Sequence, residues 1–195
     1  NILVTGGAGF IGSHLVRRLV VQGSHRVLNL DALKYSGNRA NNQDVEGNES
    51  YRFVHGDIAD EALVRRLFEQ HQIEGVINAA AETHVDRSIL DPGSFARTDV
   101  VGTGVLLEEA RRAGVKRFVQ VSTDEVYGSV ESGSSTEEDS LRPRSPYSAS
   151  KAGADRLAYS YFVTYGVPVI VTRASNNYGP RQYPEKLIPL FVTNA

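Results

Sequence analysis

The chain has 195 residues and a mass of 21.3 kDa. With 41% hydrophobic and 23% charged residues it can bury its own core, so disorder is excluded as the main state. A net charge of −2 speaks against nucleic-acid binding, and the lack of cysteine excludes disulfides, zinc–thiolate centres and thiol nucleophiles. A short apolar run over 2–5 then predicts a first buried strand. Residues 10–22 follow with helical spacing, Ile11, Leu15 and Leu19 on one face and Gly23 at the end. Further strands are expected over 27–30, 51–54, 75–81, 115–122 and 167–172. The second ends at Asp31 and the third leads to Gly56-Asp57. Asp60 caps a helix to about residue 71 that turns Leu63, Leu67 and Phe68 inward. A long helix spans about 94–113 and closes at Gly114, and another spans 146–165. Residues 32–50 and 129–146 read as polar loops.

Strand and helix alternate six times. That pattern predicts an α/β fold, a Rossmann-type doubly wound parallel sheet in the order 3-2-1-4-5-6 over residues 1–175. Residues 176–195 would begin a smaller C-terminal substrate lobe. No apolar run reaches the ~20 residues of a membrane span, and the chain enters a strand without a charged leader, so a cytoplasmic protein with no membrane partner is expected. The lack of Met and a stop inside helical sequence suggest a piece of a longer protein. None of the five histidines has metal-ligand spacing, so no metal is expected.

Three constellations carry chemistry. Gly6, Gly9 and Gly12 lie between the first strand and the first helix. There the first allows a sharp turn, the second lets a backbone approach a pyrophosphate, and the third lets helix and sheet pack closely. Asp31 stands where a carboxylate accepts from ribose hydroxyls, which favours NAD over NADP, although Lys34 and Arg39 lie near. Asp57 suits either an adenine amino group or a turn before Asp60. Tyr147 and Lys151 fall one helical turn apart, and the ammonium is expected to draw the phenol's pKa down toward neutrality, making Tyr147 a general base. Thr123, Asp124 and Glu125 follow the fifth strand, where open α/β sheets bind ligands. Adjacent strand residues point to opposite faces, so the two carboxyls converge only if the chain bends there.

Together these phrases resemble the extended short-chain dehydrogenase/reductases, and within them the dTDP-glucose 4,6-dehydratases. The resemblance rests on TGGAGFIGS (5–13), AAAETHVDRS (79–88), STDEVYG (122–128), SPYSASK (145–151) and SNNYGPRQYPEKLIP (175–189), and it covers essentially the whole chain. It implies that Phe10 and Ile11 offer N–H groups to the NAD pyrophosphate, that Asp31 holds the ribose, and that Asp57 and Ile58 hold the adenine. Ala79, Ala80, Ala81, Thr98 and Asn177 would line the cofactor, with Lys151 on the nicotinamide ribose. Thr83, Asn176, Lys186 and Leu187 would meet a nucleotide-diphosphate hexose, with dTDP-glucose as the expected substrate. Catalysis would fall to Tyr147, Thr123 and Lys151 at C4, and to Glu125 as base and Asp124 as acid in the loss of water.

The resemblance also implies a homodimer, the helices near 94–113 and 146–165 pairing into a four-helix bundle. Val105, Leu106, Leu157 and Phe162 would supply its apolar contacts. Two departures stand out: Asp99 where such relatives often have Asn, and Arg181-Gln182 in place of a Tyr-His pair. Two rival readings are an epimerase or decarboxylase of nucleotide sugars, and a silent NAD-binding sensor. The Asp124-Glu125 pair argues against the first, and Thr123, Tyr147 and Lys151 together argue against the second.

Overall fold

The computed structural model describes residues 1–23 and 25–195. Six strands, β1 (Ile2–Thr5), β2 (Val27–Asp31), β3 (Tyr51–His55), β4 (Gly75–Asn78), β5 (Arg117–Thr123) and β6 (Val169–Ala174), form one sheet in the order β3-β2-β1-β4-β5-β6. Every pairing is parallel. The order reverses between β1 and β4, which opens a crevice at the carboxyl ends of these strands.

Helices cover both faces. They are α1 (Phe10–Gln22), α2 (Glu61–His71), α3 (Val85–Leu90), α4 (Pro92–Phe95), α5 (Thr103–Ala113), α6 (Pro146–Tyr165) and α7 (Leu187–Asn194). Alternation along β1 divides the core. Leu3 joins Leu106, Leu107 and Phe118 in the larger cluster, whereas Val4 joins Val16, Val20 and Val27 on the opposite face. Local signals set the ends. Asp60 accepts from the Leu63 N–H at 3.0 Å at the start of α2, and Ser145 and Ser148 close a capping box on α6. Left-handed glycines, Gly114 and Gly166, end α5 and α6.

The structure corrects several expectations. The buried face of α1 holds Gly12, Ser13, Val16 and Val20, while Ile11 is exposed and Leu15 and Leu19 are half-buried. Gly12 sets that rotation, because it must press against the Gly6 backbone. Gly23 ends α1 in an extended conformation instead of a left-handed one. The fourth strand stops at Asn78, where the Ala79 N–H turns to the Thr5 carbonyl at 3.2 Å and the chain leaves the sheet. The long helix near 94–113 is built in three parts, with a wide π-helical stretch over Ala96–Gly102 joining α4 to α5. Of the four residues expected at a dimer face, Leu106 is fully buried and Val105 and Leu157 pack on the core, leaving Phe162 exposed.

Candidate active site

The glycine turn is dictated by sterics. Gly6 has φ +68°, and a Cβ there would lie 2.7 Å from the backbone of Ala80. A Cβ on Gly12 would lie 2.1 Å from the Gly6 carbonyl oxygen. The turn therefore brings α1 against the sheet with its first N–H groups facing the crevice. Gly9 precedes α1 without a side-chain cap, so these donors stay open to a ligand. Asp31 braces the turn: its carboxylate accepts from the Ala8 N–H and the Leu33 N–H, each at 2.8 Å. It still lines the cleft, and each oxygen retains a further lone pair.

The cleft brings together Gly6, Gly9, Phe10, Ile11, Gly12, Asp31, Asp57 and Ile58 at one end. Ala79, Ala80, Ala81, Thr83 and Thr98 form its wall, with Tyr147, Lys151 and Lys186 beyond them. Asp57 adopts the turn geometry, accepting from the Ala59 N–H at 2.8 Å. Its other oxygen faces Lys34 at 3.8 Å. Lys34 spans the cleft wall to Glu82 at 2.5 Å and Thr98 at 2.9 Å. Nothing in the residue order marks Glu82 as the partner of a lysine 48 residues away.

At the far end the chain does bend after β5. Thr123 is extended and Asp124–Tyr127 makes one tight turn, so Asp124 and Glu125 escape strand alternation; both are exposed and, instead of lining the cleft, line a neighbouring hollow with Tyr127 and Gly128. Thr123 pins this bend, donating to Asp124 at 3.1 Å and accepting from the Glu125 N–H at 3.2 Å. Burial pushes the Glu125 carboxyl up; the Lys186 charge opposes this and Asp124 adds to it. The Tyr147 ring packs edge-on against Phe95, their centroids 6.3 Å apart.

The electrostatics around Tyr147 reverse one expectation. Burial, reinforced by the Glu125 carboxylate, pushes its phenol up to about 12, and only the Thr123 hydroxyl opposes the rise among the leading influences. Lys151 is not among those leading influences. The Lys151 ammonium donates to the Val121 carbonyl at 2.7 Å, and burial draws its pKa down against the pull of Asp99 and Asp155. Asp99 is itself buried and pushed up, holding Ser150 at 2.6 Å and the Glu82 N–H at 3.0 Å. The lysine charge is thus answered from behind, while the phenol faces carboxylates.

Residues 3–195 match the family described as GDP-mannose 4,6 dehydratase. The chain belongs to that family. It is 57% identical to a dTDP-glucose 4,6-dehydratase of Streptomyces griseus, over 99% of this chain and 59% of that protein. It is 48% identical to the dTDP-glucose 4,6-dehydratase of Escherichia coli, over 100% of this chain and 59% of that protein. The solved dTDP-glucose 4,6-dehydratase DesIV of Streptomyces venezuelae, crystallised with NAD, superposes with a TM-score of 0.95. That match is 53% identical and covers 100% of this chain and 61% of that one. The chain therefore spans about three fifths of the length of these family members.

Not every residue marked in the sequence joins the cleft. Asn176 and Asn177 are exposed outside it, and Asn177 turns its amide to the Ser175 carbonyl at 2.9 Å. Leu187 opens α7 and is exposed. Conversely, Ser122, Tyr183 and Glu185 line the cleft without an expected role, as does Gln182, marked only as a departure. Ser122 is telling: its hydroxyl is buried and has no partner in the protein. Its place in the STDEVYG phrase was the available signal. Among the described residues no cluster of three or more His, Asp or Glu is placed to hold a metal, and no helix is long and apolar enough to cross a membrane.

Proposed function

We propose that the chain is the cofactor-binding and catalytic part of a 4,6-dehydratase that converts dTDP-glucose to its 4-keto-6-deoxy sugar. One observation carries this reading: the turn after β5 sets the Asp124 and Glu125 carboxyls in a hollow of their own, close enough to act on Tyr147, the half-buried tyrosine that lines the dinucleotide-type cleft. The cleft fits NAD. The uncapped start of α1 suits a pyrophosphate, Asp31 suits a ribose and disfavours a 2′-phosphate, and the unpartnered Ser122 hydroxyl offers a polar contact. Phe10 and Ile11 would hold the pyrophosphate, Asp57 and Ile58 the adenine, and Lys151 the second ribose. When bound, NAD supplies a hydride acceptor and donor, so that oxidation at C4 is balanced by reduction at C6, and its oxidised form brings positive charge into the cleft.

The protein's own groups handle protons. Tyr147 takes the C4 hydroxyl proton as the phenolate, a form that the positive charge of bound oxidised NAD favours against its raised pKa, while Thr123 orients it. A C4 ketone acidifies the C5 hydrogen, which Glu125 removes. Asp124, hydrogen-bonded to Thr123, protonates the departing C6 hydroxyl. The elevated pKa of Glu125 makes it a stronger base than an ordinary carboxylate. Lys186 faces Glu125, and Thr83 and Lys186 line the same cleft, so both are placed to meet the sugar diphosphate. Asn176 and Leu187 stand outside it and would join only with the lobe proposed to start at residue 176. Asn177 is likewise kept as a cofactor contact in the complete site. An epimerase has no use for the acid and base at 124 and 125. The relatives' shared dTDP-glucose name also supports a dTDP-sugar over GDP-mannose.

The reading extends to a homodimer through the π stretch and α6, where Val101, Tyr159, Phe162 and Val163 lie exposed. Its proposed location is the cytoplasm, where NAD and nucleotide sugars occur. The test supplies the protein with NAD and dTDP-glucose deuterated at C4, in ordinary water. Product one water lighter, with deuterium at C6 and solvent hydrogen at C5, is expected. Loss of deuterium to water, or free NADH accumulating with turnover, would overturn the dehydratase reading.

A further inference from the structure

Three stretches distant in sequence meet at the cleft: Ser36-Gly37 after β2, Glu82-Thr83 after β4, and Gln182, Tyr183, Glu185 and Lys186 before α7. One side chain touches all three. The Tyr35 hydroxyl donates to Glu185 at 3.0 Å and lies 3.2 Å from the Thr83 carbonyl, so its single proton is shared between two acceptors. Its ring meets Tyr183 edge-on at 5.5 Å, and the Arg87 guanidinium from α3 sits 3.7 Å from the ring centroid. The segment before α7 is tied at a second place. The Pro180 carbonyl lies 3.0 Å from a ring nitrogen of His14 on α1, and Arg181 reaches Asp44 at 3.5 Å. Arg181 is held at φ +71°, a left-handed conformation that a non-glycine residue adopts only under restraint.

We propose that residues 180–186 form a strap over the dinucleotide cleft and that Tyr35 is the positioning residue that pins it, setting how long the dinucleotide stays bound. The inference rests on the cofactor reading above. It suits a cycle that restores NAD in place, where nothing requires the dinucleotide to leave between turnovers. Burial, with Glu185 beside it, pushes the Tyr35 phenol far above its usual range, so the donor persists at any physiological pH. Glu185 also precedes Lys186, so the pin fixes the lysine that faces Glu125.

The test loads the protein with labelled NAD, adds unlabelled NAD in excess, and follows release of label. Tyr35→Phe keeps the ring contacts and removes only the shared proton, and release is expected to be about 10-fold faster, as for one hydrogen bond to a charged acceptor. Glu185→Ala should match it, and Glu185→Gln, which keeps an acceptor, should return the rate toward that of the parent. Because both groups act through one bond, the double variant should release no faster than either single variant. Parent-like rates in Tyr35→Phe and Glu185→Ala, or effects that multiply in the double variant, would overturn the strap and leave the cofactor reading standing. A parent protein that retains no NAD would overturn both.

Discussion

Gly12→Ala separates binding from folding. The added Cβ would sit 2.1 Å from the Gly6 oxygen, 2.7 Å from the Gly6 carbonyl carbon and 2.8 Å from the Gly7 Cα, against a floor of 3.0 Å for real contacts. All three atoms are backbone, so no side chain can rotate away. Relief must come from α1 withdrawing by about 1 Å, the scale at which a positioned site loses ~10²-fold in function. Overpacking of this kind costs about 1–3 kcal/mol, and alanine's better helix propensity returns about 1 kcal/mol. Stability should therefore fall by no more than about 2 kcal/mol. NAD affinity should fall ~10²-fold, because the Phe10 and Ile11 N–H groups move with the helix. Calorimetric titration with NAD, beside a thermal melt, measures both quantities. Gly47→Ala, where a Cβ meets nothing within 4 Å, serves as the control. Parent-like NAD affinity in Gly12→Ala would refute the claim that contact with Gly6 sets the position of α1.

Three further outcomes are expected. Tyr147→Phe and Lys151→Ala should slow C4 oxidation, and Glu125→Gln and Asp124→Asn should chiefly slow elimination, each by ~10²–10⁴-fold. Isotope effects from C4- and C5-deuterated substrate tell the steps apart, and equal loss of C4 oxidation in all four would end this division. Since the Glu125 carboxyl is pushed up from 4.5, its base form fails at a higher pH than an ordinary glutamate's as pH falls, and Glu125→Gln should erase that acid limb. Asp155 is fully buried against Arg173, whose side chain is only 11% exposed, and the pair ties α6 to β6. Burial pushes its carboxyl up, but the Arg173 and Arg156 hydrogen bonds outweigh this and hold it below 3.8. Its contribution is thus complete above the unfolded value and lost as pH falls through the lower folded one. Asp155→Ala removes the charge partner of Arg173, leaving it the Tyr127 hydroxyl at 2.7 Å, and should cost about 3 kcal/mol, the low end for a broken buried pair, at neutral pH in denaturant melts. A smaller loss in the variant at neutral pH, equal to its loss in acid, would refute the pairing.

What the sequence disclosed follows from the range of each interaction. Strand order was legible because six alternations and right-handed crossovers leave few topologies. The cap at Asp60 and the glycine stops at 114 and 166 were legible because each acts within a few residues. The rotation of α1 was not. Apolar spacing favoured Ile11, Leu15 and Leu19, whereas one backbone contact at Gly12 chose Val16 and Val20 instead. The fourth strand was read three residues too long for a related reason, since Ala79, Ala80 and Ala81 look apolar but leave the sheet to pass over the glycine turn.

The site divides along the same line. Tyr147 and Lys151 are four residues apart on one helix, so their spacing alone puts them on one face, and both line the cleft. The sequence misjudged their coupling, because the charges that decide it come from elsewhere: Glu125 and Asp124 from the turn after β5, and Asp99 from the π-helical stretch. The phenol pushed up to about 12 is therefore a property of the fold and not of the Tyr-x-x-x-Lys spacing. The strap lies further along that scale. Tyr35 and Glu185 are separated by 150 residues, and only Glu185 falls within one of the phrases that carry the resemblance. Only the parallel sheet, by ending β2 and β4 side by side with β1 at one crevice, brings the loops that carry Tyr35 and Thr83 under the segment that carries Glu185. Residues whose role is to join segments show no local spacing. Their chemistry becomes visible when the topology has set their partners within hydrogen-bond reach.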